Sequence, residues 1–115
     1  MPRFLVKPGY ALLKRNPQDH DVKFYLARTL ISLNDTQRQN QVLQWVESFI
    51  KADPRKASYY SMRGGIYFNR WEKSKSRADA NQAIASYRRF LALAPPDDEW
   101  RSQAKVLIKL MQKPE

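Results

Sequence analysis

A chain of 115 residues with 43 % hydrophobic and 12 % aromatic residues suits one folded unit, carries enough apolar surface to exclude wholesale disorder, and falls below the size at which a second core is expected. It has no cysteine, which removes a disulfide framework, a thiolate metal site and a cysteine nucleophile. The formal net charge of +10 raises anionic partners, while no apolar run approaches the ~18 residues that span a bilayer, and the opening Phe4-Leu5-Val6 is too short for a signal-peptide core.

Apolar residues recur at helical spacing throughout, and no stretch alternates with period two, so every predicted element is a helix. At the amino end, residues 10–15 read as the last turns of a helix that stops before Asn16-Pro17, with Pro8-Gly9 limiting how far it reaches back. Residues 19–33 place Leu26, Ala27, Leu30 and Leu33 on one face and stop at Asn34-Asp35, a turn pair. Residues 37–52 carry Val42, Leu43, Val46, Phe49 and Ile50 as their stripe and end ahead of Pro54. A helix after Lys56 turns Ala57, Tyr60, Gly64, Tyr67, Phe68 and Trp71 to one side. Residues 78–94 face inward with Ala80, Ala83, Ile84, Tyr87 and Leu91, and Pro95-Pro96 stops them. The last helix, 98–112, opens on acids that suit the positive end of its dipole and presents Trp100, Ala104, Leu107, Ile108 and Met111 as a seam, with Lys105, Lys109 and Lys113 facing water.

Three helix-ending prolines have similar lead-ins: Leu12-Leu13-Lys14-Arg15-Asn16-Pro17, Phe49-Ile50-Lys51-Ala52-Asp53-Pro54 and Phe90-Leu91-Ala92-Leu93-Ala94-Pro95. Their spacings of 37 and 41 residues mark an internal repeat somewhat longer than the ~34 residues of a tetratricopeptide unit. The residues themselves resemble that family. Tyr60, Gly64 and Tyr67 stand where its first helix has aromatic, glycine and aromatic, and Ala83, Tyr87 and Pro95 where its second has alanine, aromatic and proline. Arg63 departs from the expected leucine and Phe90 from a small residue; the earlier unit matches more weakly, through Ala27, Leu30, Val42, Val46 and Pro54.

The resemblance implies an all-α fold, a short right-handed α-solenoid of antiparallel helix pairs. Residues 1–17 would form a partial helix or cap, 18–54 unit one, 55–95 unit two and 96–115 a capping helix. The excess length is expected in the turns inside the units, including a basic insertion near 70–79. By the same resemblance the function is protein–protein binding, as a scaffold or adaptor. The groove positions map to Phe24, Arg28, Ile31 and Ser32 in unit one and to Ser61, Gly65, Phe68 and Asn69 in unit two. The clamp that some family members use for acidic tails is not carried over, because Phe24, Ser61 and Gly65 replace its lysine, asparagine and arginine.

Catalytic signatures are lacking. The single histidine, His20, sits at a polar helix start, and the adjacent acids Asp97 and Asp98 suit capping. Neither an enzyme activity nor a cofactor is expected. Arg70, Lys73, Lys75 and Arg77 surround Trp71 and read either as a lip for an anionic, acidic partner or as a solvated loop. An alternative function is a basic helical module that binds nucleic acid or another polyanion, although nothing resembles a nucleic-acid-binding motif. The amino end leaves the first full helix partly uncovered, so residues 4–13 are expected either to fold back over it or to pair with a second copy as a homodimer.

Overall fold

A computed structural model describes residues 6–112 as six helices with no strand among the described residues. They are α1 (Val6–Arg15), α2 (His20–Ser32), α3 (Gln39–Ala52), α4 (Ala57–Ser74), α5 (Arg77–Leu93) and α6 (Arg101–Gln112). Phe4, Leu5 and Lys113, which entered the expectations above, lie outside the described residues.

Local chemistry sets most boundaries. Asp19 caps α2 by accepting a hydrogen bond from the Val22 N–H, and Ser76 caps α5 by accepting from Ala78 and Asp79. At the end of α2, Asn34 takes a left-handed φ of 52° while its own N–H donates to Ile31 O and that of Asp35 donates to Leu30 O. Those two bonds satisfy carbonyls that the helix leaves open. Pro8 sits inside α1 as its third described residue, where a missing N–H costs no helical hydrogen bond. The helix therefore extends further back than the proline suggested.

Consecutive helices pack on one another, and α2 also touches α4. Hydrogen bonds from Arg63 to Ser86 and from Ser74 to Asp79 fix α4 and α5 as antiparallel. Contacts of Phe24 with Tyr59 and of Ile31 with Asn69 run in the same sense along both helices, so α2 and α4 are parallel. One buried cluster joins α1 to α4 through Leu26, Leu30, Val42, Val46, Phe49 and Ile66. A second joins α4 to α6 through Tyr60, Ala80, Ala83, Tyr87, Phe90 and Met111. Helix α4 serves both clusters and is the central element.

Helices α4 and α5 cross closely at Gly64, where an added Cβ would lie 2.8 Å from the Tyr87 ring. Gly9 makes a similar approach to Leu26 and lets α1 lie against α2. The described part of residues 4–13 folds back over α2, with Val6, Gly9 and Leu13 buried.

Two expectations are corrected. The extra residues of the second unit do not form a turn: only residues 75 and 76 separate α4 from α5, and the surplus lengthens the helices to 18 and 17 residues. Trp71, Glu72, Lys73 and Ser74 simply continue the helix until Lys75 ends it with a φ of 54°. Trp100 is not part of an inward seam. The last helix starts at Arg101, the preceding turn is held by the Asp98 carboxylate accepting from the Trp100 N–H, and the indole is 56 % exposed. Lys105 and Lys109 do face water, but Val106 and Leu110 are exposed beside them.

Candidate binding cleft

A cleft of about 490 Å³ opens between α2, α4 and the start of α6. Helix α2 contributes Phe24, Arg28, Ile31 and Ser32 to one wall, and α4 contributes Ser58, Ser61, Met62 and Gly65. The floor is Tyr87 and Phe90 from α5, and the far side is Asp98, Trp100, Gln103, Ala104 and Leu107. The parallel arrangement of α2 and α4 creates the trough, because their adjacent faces meet above α5 without a helix between them. Gly65 keeps it open, since a Cβ there would already stand 3.0 Å from Ile31 Cγ2.

Six residues assigned to the groove from sequence line this cleft: Phe24, Arg28, Ile31, Ser32, Ser61 and Gly65. Phe68 and Asn69 do not. Helix α2 ends at Ser32, so the next turn of α4 lies beside that end. There Asn69 donates to Ile31 O at 3.1 Å, and Phe68 packs beside Trp71 at 5.8 Å between ring centres. The floor residues were legible only as core, because a helical stripe does not reveal which of its members face an opening.

The cleft mouth carries an aromatic group. Phe24 lies 6.0 Å from Tyr59 and 6.2 Å from Phe49, centre to centre, and His20 meets the edge of Phe49 at 4.7 Å. His20 Nε2 and the Tyr59 hydroxyl share a hydrogen bond at 3.1 Å. His20 thus fastens α2 to α4 while Asp19 performs the capping. The Tyr87 ring is 6 % exposed, and burial alone pushes its hydroxyl pKa well above the usual value.

The basic residues 70–77 are largely engaged elsewhere. Arg70 donates to Gln39 Oε1 and Asn40 Oδ1 at 2.9 and 2.7 Å and lies over Tyr67; Lys75 covers Trp71 at 4.3 Å; Arg77 donates to Met111 O at 2.8 Å. Only Lys73 of the expected lip has no such partner among the described residues. Among those residues no group of three or more His, Asp or Glu side chains is placed to hold a metal ion, and no helix is long and apolar enough to cross a membrane.

Comparison with family models, with curated proteins and with solved structures finds no match to this chain. The functional reading therefore rests on the cleft and its residues.

Proposed function

We propose that the chain is a short tetratricopeptide-like α-solenoid acting as a protein–protein interaction module, and that it holds a partner segment in the cleft between α2, α4 and α6. The observation that carries this reading is the coincidence of two independent assignments: groove positions taken from the repeat pattern, and a cleft lined by six of those same residues. The parallel α2 and α4, each followed by an antiparallel partner, also suit stacked helix pairs. The volume accommodates a few side chains of a bound segment, not a whole helix. No reaction is assigned.

Selection from a random peptide library against the intact chain tests the reading. Selected peptides should shift the amide resonance of Gly65 and the indole resonance of Trp100, and Phe24→Ala should weaken them without unfolding the chain. Peptides that bind only outside the cleft, or a chain that instead takes up single-stranded nucleic acid with a steep dependence on log salt, would replace it with the polyanion reading.

A further inference from the structure

The cleft is electrostatically lopsided. In its wall the Arg28 guanidinium lies 5.7 Å from the centre of the Phe24 ring, and Lys56, outside the lining but against the same ring, has Nζ 5.9 Å from that centre and 5.3 Å from that of Tyr59. Both cations therefore share one aromatic ring. The ion pairs among the described residues use Arg38 and Arg63, and neither Arg28 nor Lys56 has an acidic partner there. Helix α4 starts at the same place with no acid in its first turn and no side-chain cap, so the positive end of its dipole adds to the two charges. The one acid in the cleft wall, Asp98, is at the α6 side and is engaged with the Trp100 N–H.

The interior offers a second, apolar site. The Tyr87 ring is almost wholly buried, and its hydroxyl oxygen lies 3.9 Å from where a Gly65 Cβ would stand. Around that point Ile31, Met62, Phe90 and Leu107 make an apolar recess. A segment that fills this cleft well therefore brings negative charge to the cations at Phe24 and a bulky apolar side chain to the recess at Gly65.

We infer that the occupant is an acidic segment of a partner protein, held in one register with a side-chain carboxylate between Arg28 and Lys56 and an apolar side chain over Gly65. This inference rests on the interaction-module reading and specifies its ligand class. The carboxylate supplies the negative charge that no acid among the described residues gives Arg28 and Lys56, and the apolar side chain removes water from the recess. The register follows because different residues supply the two features, Arg28 and Lys56 at the Phe24 ring and Gly65 against Ile31.

Three pools of short synthetic peptides provide the test, all acetylated and amidated so that terminal charges play no part. Each has a central Leu or Phe, flanked in one pool by Asp and Glu, in the second by Asn and Gln, and in the third by Lys and Arg. Titrated into the isotopically labelled chain, the acidic pool should shift Gly65 and Trp100 at concentrations at least about tenfold below the amide pool, with the basic pool weakest. The advantage should shrink in ~1 M salt, where the Debye length is ~3 Å, and should pass to the basic pool in the double variant R28E/K56E. Equal shifts from the acidic and amide pools would overturn the acid preference and leave the cleft as a peptide site. No shift at Gly65 or Trp100 from any pool would overturn the cleft reading itself. Shifts there on raising protein concentration alone would make a second copy the occupant and overturn the inference.

Discussion

Two groups of cations in this chain look alike in sequence and differ in what they do. Arg63, Arg70 and Arg77 are occupied within the fold: Arg63 joins α4 to Ser86 on α5 and Glu47 on α3, Arg70 joins α4 to the start of α3, and Arg77 holds the last turn of α6. Arg28 and Lys56 lie over an aromatic ring at the mouth of an open cleft with no acid beside them. The difference teaches that local charge density is a poor guide to an anion-binding surface. In the basic run 70–77, Arg70 and Arg77 spend their donors on amide and carbonyl oxygens and Lys75 covers Trp71, whereas two cations remote in sequence meet one aromatic ring without an acid.

Substitutions can break or sharpen that contrast, and the largest effect should come from the crossing that holds both groups in place. Gly64→Leu forces a side chain into the Tyr87 ring and should cost about 1–3 kcal/mol in urea unfolding, with wild-type stability contradicting the close contact. Alkaline unfolding should show the next effect. The Tyr87 hydroxyl ionises near pH 10 once the chain unfolds but resists ionisation when folded, so above pH 10 the folded chain holds more protons and stability falls by up to ~1.4 kcal/mol per unit. Below that pH this contribution is fully present. Tyr87→Phe should flatten the alkaline slope, and an unchanged slope would count against burial of the hydroxyl.

Arg63→Met should cost about 1 kcal/mol, since Ser86 loses an incoming donor but keeps its own bond to Gln82 O. Arg28→Ala and Lys56→Ala should each change stability by no more than about 0.5 kcal/mol, because their side chains are exposed and form no ion pair among the described residues. A larger loss from either would place them with the occupied cations.

Much of the helical framework was legible because proline at 17, 54 and 95 and the 3.6-residue spacing of Leu26, Leu30, Val42, Val46, Ala80 and Ala83 both act locally. The missed features depend on where helices stop. Lys75 ends α4 in a left-handed conformation without the glycine that usually announces one, so helical residues 70–74 read as a loop. Trp100 fits a helical seam by spacing, yet the turn held by Asp98 puts it outside the helix. Phe68 and Asn69 fell out of the groove because Phe68 packs on Trp71 and Asn69 spends its amide on the Ile31 carbonyl near the end of α2. The pairing of Arg28 with Lys56 over Phe24 had no sequence signal, since it arises only when α2 and α4 lie parallel.

The central claim is that the unpaired cations of the cleft, and not the basic run, recognise the acidic segment. Fluorescence anisotropy of the labelled acidic pool on two double variants that each remove two positive charges, R28A/K56A and R70A/K73A, tests it most directly. The account predicts about a tenfold loss of affinity for R28A/K56A and less than about a twofold change for R70A/K73A. Equal losses would reduce the preference to net charge, and a greater loss in R70A/K73A would return the site to the basic run and contradict the account.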